Sequence, residues 1–298
     1  MERSNKKENG SKMFTTYPVP FSLNKNKKYI TVNSMKASTS SKEEKINQAF
    51  KFHFEGNFKE AEKYYQECIK VGCNDYKVFS NYGNILSQLG KLEEAVLSQR
   101  KAVELKPDFA GVHYNLGNTL RSLGNLKEAK KSYLKAIKLN QNHAMAHLSL
   151  GSIFSDLGNF EDAELSTRKA IELKPDYVNA YSNLGAIFNS LGKFKDAEIS
   201  YRKVIKMNPI SGYGYLNLGT LLKEKGDLKE AEILLLKGIK LQPNIAESHF
   251  ILGEILIEKR QYKDALNSYL KSLKLKPWNI KIAWRISALK NKLRKKEK

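Results

Sequence analysis

Apolar residues along this chain repeat on two nested scales. On the short scale they fall at three- and four-residue steps. Tyr181, Leu184, Gly185 and Phe188 occupy positions i, i+3, i+4 and i+7, which is one face of an α-helix. Gly192 interrupts the pattern, and Ala197, Tyr201, Val204 and Ile205 make the next face. Met207-Asn208-Pro209 ends it, because proline cannot continue a helix. The pattern predicts helix, turn, helix. On the long scale the same hairpin recurs: Gly83, Gly117, Gly151, Gly185, Gly219 and Gly253 stand 34 residues apart, and Ala95, Ala129, Ala163, Ala197, Ala231 and Ala265 keep the same step without insertion or deletion. Ala61, with Gly56 and Tyr65 in register, carries the series back one unit.

Seven units follow: 42–75, 76–109, 110–143, 144–177, 178–211, 212–245 and 246–279. A lone hairpin leaves one face bare, so neighbours must stack to bury it. A mid-helix glycine costs about 1 kcal/mol relative to alanine. Its retention predicts a second helix crossing too closely for a side chain. Beyond Pro277, Ile282, Ile286, Leu289 and Leu293 line one side of a further helix, and Trp278 and Trp284 are expected to seal that edge.

The recurring set is an aromatic residue or His, then Leu-Gly, then Ala, an aromatic, Ala and Pro. It resembles the tetratricopeptide-repeat family over residues 42–279. Departures are modest: Ala49 and Cys73 in the first unit, Gln141 at a proline position, Gly238 at an alanine position. The resemblance implies an all-α fold, a right-handed α-α superhelix (solenoid) of seven helix-turn-helix repeats plus a C-terminal capping helix. Residues 1–41 are expected to be a disordered basic N-terminal segment, because polar and charged residues dominate there. Residues 280–298 are expected to be a solvating helix with a basic tail.

The resemblance also implies that the first helices line a concave groove in which a protein-interaction scaffold holds an extended peptide. Two residues before each glycine stand Asn81, Asn115, Ser149, Asn183, Asn217 and Ile251; one after stand Asn84, Asn118, Ser152, Ala186, Thr220 and Glu254. An amide side chain offers both a donor and an acceptor, so such a ladder suits a guest backbone. It is similar to the asparagine ladder of O-linked N-acetylglucosamine transferases. The candidate groove residues are Asn81, Asn84, Asn115, Asn118, Arg121, Ser149, Ser152, Asn183, Asn189, Asn217 and Lys223. Glu247, Glu254 and Glu258 make the C-terminal wall more acidic. The carboxylate clamp of chaperone-binding repeats is not matched: Ile46, Phe50 and Ser80 stand where its polar and basic residues belong. The alternative reading is a substrate-selecting repeat subunit of a glycosyltransferase or sulfotransferase system with its catalytic domain on another chain.

Charge changes this picture only at the ends. The 298 residues carry a net +21. Residues 1–41 hold eight Lys/Arg against two Glu, and 278–298 hold eight against one. An acidic partner for the basic ends is therefore an open expectation; nucleic acid and membrane rank below a protein or peptide partner. Cys68 and Cys73 alone make no disulfide framework and no zinc site. No apolar run is long enough to span a bilayer and no secretory h-region is present, so a cytoplasmic location is expected. Phosphate-binding, zinc-protease and nucleophile-elbow motifs are missing. His113, His147 and His249 share the aromatic register and read as packed histidines. No catalytic residue, metal site or cofactor is predicted, and no enzymatic activity.

Overall fold

The computed structural model describes residues 37–294, with side chains from Lys42 onward. The disordered segment expected at 1–41 therefore lies outside the described residues up to 36, as does the tail at 295–298. The first helix begins at Ala37, ahead of the boundary drawn at residue 42. The chain divides into two compact units after Ile153.

The first unit contains α1 (Ala37–Phe54), α2 (Phe58–Lys70), α3 (Tyr76–Gln88), α4 (Leu92–Leu105), α5 (Ala110–Ser122), α6 (Leu126–Leu139) and most of α7 (Ala144–Asp156). The second contains α8 (Phe160–Leu173), α9 (Val178–Ser190), α10 (Phe194–Met207), α11 (Gly212–Glu224), α12 (Leu228–Leu241), α13 (Ala246–Glu258), α14 (Tyr262–Leu275) and α15 (Ile280–Arg294). The expected all-α repeat fold is what these fifteen helices form among the described residues.

Local chemistry sets the helix ends. Asn57, Asn159 and Asp227 cap α2, α8 and α12, each accepting a hydrogen bond from the third helical N–H, a contact worth about 1 kcal/mol. Between the helices of each hairpin one residue adopts positive φ. It is glycine at 56, 90, 124, 158, 192 and 226, but Arg260 (φ 62°) in the last hairpin. An L side chain pays about 1–2 kcal/mol for that conformation.

The 34-residue step of small residues has a packing cause. A Cβ on Gly185 would lie 2.5 Å from the Tyr201 ring, and one on Gly219 would lie 2.9 Å from Leu235 and 3.3 Å from the Ala231 carbonyl oxygen. A large side chain of the second helix occupies the space beside the glycine of the first. The alanine one turn earlier, Ala197 or Ala231, is fully buried at the same crossing. In the first unit Ala49, Ala61, Tyr65, Val78, Ile85 and Ala95 belong to one core. In the second the core runs from Leu184 to Leu289. Each fully buried Leu or Ile contributes about 1.5–3 kcal/mol.

One expectation fails at the C-terminal helix. Ile282, Ile286 and Leu289 are buried as the spacing requires, but Trp278 and Trp284 are 87% and 76% exposed. They do not seal the edge. Trp284 lies roughly half a turn round the helix from the buried row, so its ring points away from α14.

Candidate functional site

The glycine-flanking positions of the first helices are the residues to follow, unit by unit. In the first unit they are not open to a guest. Asn81, Asn84, Asn115 and Asn118 are 0–2% exposed, which corrects the expectation that this ladder faces solvent. The reason is visible in the hydrogen bonds. Gln99 of α4 reaches across its hairpin, donating through Nε2 to Asn84 Oδ1 (2.9 Å) and to the Ser80 carbonyl (2.9 Å). The Ser80 hydroxyl donates to Gln99 Oε1 (3.3 Å) and accepts from Asn115 Nδ2 of the next first helix (3.0 Å). Tyr133 of α6 donates its hydroxyl to Asn118 Oδ1 (2.8 Å). Residues after the glycine thus bind their own second helix, and residues before it stitch consecutive first helices. Arg121, Ser149 and Ser152 are partly buried on α5 and α7.

The second unit is built differently. Asn217 Nδ2 donates to Ser182 Oγ (3.0 Å), repeating the Ser80–Asn115 stitch at the same 35-residue offset. Here, however, Asn183, Asn189 and Asn217 are only partly buried, and Ala186, at the Asn118 register, is exposed. Asn189 donates through Nδ2 to Glu224 (3.0 Å). Its Oδ1 is buried and has no hydrogen-bond partner among the described residues. Lys223 does not offer a free charge. Its ammonium pairs with Glu254 at 2.8 Å and lies 3.9 Å from Glu258, and Arg285 of α15 reaches Glu254 at 3.4 Å. Glu247 lies 4.0 Å from Lys276, so all three carboxylates of the acidic wall read from sequence already have a cationic neighbour.

Of these residues, Asn189 and Asn217 border a cleft. Its apolar floor is Tyr201, Leu216, Leu221 and Ile251; Asn189, Asn217, Thr220 and Glu247 supply its polar wall. Burial and the nearby Glu224 carboxylate raise the Tyr201 pKa to about 12, so the phenol stays neutral. The Thr220 hydroxyl donates to the Leu216 carbonyl (2.8 Å), which leaves its oxygen able to accept. The arrangement can receive backbone N–H groups beside an apolar side chain. It contains no nucleophile–base pair. Tyr201 and Leu216 are cleft residues that the sequence did not single out, whereas Glu224 is expected near the groove by helical phase; the hint was the Ser–Asn pair at offset 35, which places the amide on the seam between repeats.

The shared His/Tyr register proves structural. His113 and His249 each hold a carbonyl, of Pro107 and Pro243, at 2.8 Å. His147 does so with Gln141 (3.0 Å), and Tyr215 donates to Pro209 (3.0 Å). Each side chain fastens the loop that enters its own hairpin. Among the described residues no group of three or more His, Cys, Asp or Glu is placed to hold a metal ion.

Family models agree with the repeat geometry. Models described as TPR repeat and tetratricopeptide repeat match residues 83–121 and 151–192, 110–143 and 178–210, and 47–71, 213–245 and 246–277. The chain belongs to the tetratricopeptide-repeat family. Among solved structures, a tetratricopeptide repeat protein from Parabacteroides merdae ATCC 43184 is 20% identical with a TM-score of 0.71, over 84% of this chain and 98% of its own. The Cut9–Hcn1 hetero-tetramer of the APC/C gives a TM-score of 0.68 at 16% identity, over 81% of this chain and 48% of that one. Pseudomonas aeruginosa pilF gives 0.61 at 20% identity, over 72% and 97%. These likenesses establish the fold. No curated protein matches the sequence. No helix among the described residues is long and apolar enough to cross a membrane.

Proposed function

We propose that this tetratricopeptide-repeat chain is an interaction scaffold that holds an extended segment of a partner protein in the cleft of its second unit. The observation that carries the reading is the pairing of unused acceptors with an apolar floor. Asn189 Oδ1 has no partner among the described residues, and it borders Leu216, Leu221 and Ile251. A small turn of the Asn189 amide would bring this acceptor, now closed off from solvent, into the cleft, where a guest N–H would relieve an unsatisfied group that costs about 1–3 kcal/mol. An apolar guest side chain on the floor supplies the rest of the affinity.

The first-unit ladder adds no binding surface to this reading. The Asn115 donor is committed to Ser80, and the Asn217 donor to Ser182. Two of the four amides read as similar to the glycosyltransferase ladder therefore have their donors committed within the fold.

The test is selection from a random peptide library on the purified full chain, followed by affinity measurement. A double variant, Asn189→Ala with Thr220→Val, is expected to weaken the selected peptides about tenfold or more with the helical signal unchanged. Equal affinity of wild type and the double variant, or failure to select any peptide, would remove the cleft from the account.

A further inference from the structure

The C-terminal helix presents an outer face that nothing among the described residues covers. Trp278, Ile280 and Trp284 are 87%, 79% and 76% exposed. At the same register one repeat earlier, Phe250 packs against Tyr269 of α14, ring centroids 5.6 Å apart. Trp284 stands 34 residues after Phe250 and has no second helix to meet among the described residues.

The charge around these rings is one-sided. From Ala265 through Arg294 there is no Asp or Glu and there are eight Lys and Arg. By helical phase, Ile280 and Trp284 lie opposite the buried row of Ile282, Ile286 and Leu289. Lys281, Arg285 and Lys292 fall on one flank of that outer face, Lys290 and Arg294 on the other. All five are exposed. Arg285 is partly answered by Glu254, Lys281 lies over the Phe250 ring at 5.2 Å and Lys292 over Tyr262 at 4.2 Å. Lys290 and Arg294 meet no carboxylate among the described residues.

We propose that this face docks the chain on an anionic lipid surface. Indole rings are apolar with one polar edge, which suits the headgroup boundary. Projecting rings between two rows of cations are the arrangement of a helix lying in the plane of that boundary. The rings stand proud of the surface, so a yielding bilayer accommodates them more readily than a rigid partner without matching pockets. The flanking cations add attraction to anionic lipids, and this part of the binding falls with salt.

Trp278 and Trp284 are the chain's two tryptophans, so its own fluorescence reads the answer. The full chain is titrated with vesicles of phosphatidylcholine containing phosphatidylglycerol, and with pure phosphatidylcholine. The expected result is solvent-exposed emission in the free protein, a blue shift with the anionic vesicles, and binding about tenfold or more weaker to the zwitterionic ones. High salt should reverse it. Trp284→Ala, and separately Lys281→Glu with Lys290→Glu, are expected to cut vesicle co-sedimentation severalfold with helicity retained. Three results would each overturn the proposal: blue-shifted emission before any vesicle is added, no shift with anionic vesicles at low salt, or binding indifferent to these variants. A partner protein that covers the rings without any vesicle binding counts against it in the same way.

Discussion

The two units share a repeat and one stitch between first helices, but they differ at the position that follows the glycine. In the first, the amides beside the glycine close on the neighbouring helices. Gln99, Asn84, Ser80 and Asn115 form one buried network, and Tyr133 completes a second link to Asn118. In the second, Ala186 replaces the amide, and Tyr201, the counterpart of Tyr133, has no hydrogen bond among the described residues to a residue at that register. Asparagine in this register is therefore no guarantee of a binding surface. What decides is whether the second helix supplies a polar side chain to consume it.

Five substitutions break or sharpen that contrast, and equilibrium denaturation of the full chain measures them all. The largest effect is expected from Gln99→Leu, which strands Ser80 and Asn84 inside the first unit. A loss of about 3 kcal/mol follows from leaving buried polar groups unpaired; a loss below about 1 kcal/mol would mean the network is dispensable. Acid comes next. Burial pushes His53, whose ring nitrogen lies 3.2 Å from the Tyr65 hydroxyl, down to about 4. The unfolded chain takes up the proton near pH 6.5, so folded His53 lags behind. Stability is full above that pH and falls as pH drops toward 4, by up to about 3 kcal/mol. Replacing His53 by Phe should flatten this dependence, and an unchanged pH profile would discount His53 as its source.

The third comparison is direct. Tyr133→Phe should cost about 1 kcal/mol because Asn118 Oδ1 loses its donor, whereas Tyr201→Phe should be close to neutral. Equal costs would erase the distinction between the units. The smallest effect should be a gain. Arg260→Gly relieves the one positive-φ side chain among the described residues, offset in part by greater freedom of the unfolded chain. A stabilisation of about 0.5–1 kcal/mol is expected, and destabilisation would show that the arginine holds its turn by other means.

The repeat itself was readable because glycine and alanine recur at one period, and the structure shows why: Gly185 and Gly219 each lie under a side chain from the second helix. The buried row of α15 was equally legible from Ile282, Ile286 and Leu289. The exposure of Trp284 was implied by the same helical phase, but hydrophobicity alone suggested a seal. The amide ladder could be located in sequence but not judged. Whether Asn118 faces a partner depends on residue 133, and Lys223 looks cationic until Glu254 is found on the next first helix. Such pairings cross hairpins, so they depend on packing angle as well as order.

The stitch between first helices has a consequence for how such chains can be shortened or rearranged. Ser80 receives Asn115, and Ser182 receives Asn217, always with the hydroxyl on the earlier helix. The joint behaves as a directional connector with matched ends. Splicing 76–109 directly onto 212–245 would bring Ser80 and Asn217 to that same 35-residue separation. A module order can thus be rewritten without redesigning the seam, provided each cut respects the polarity of the connector.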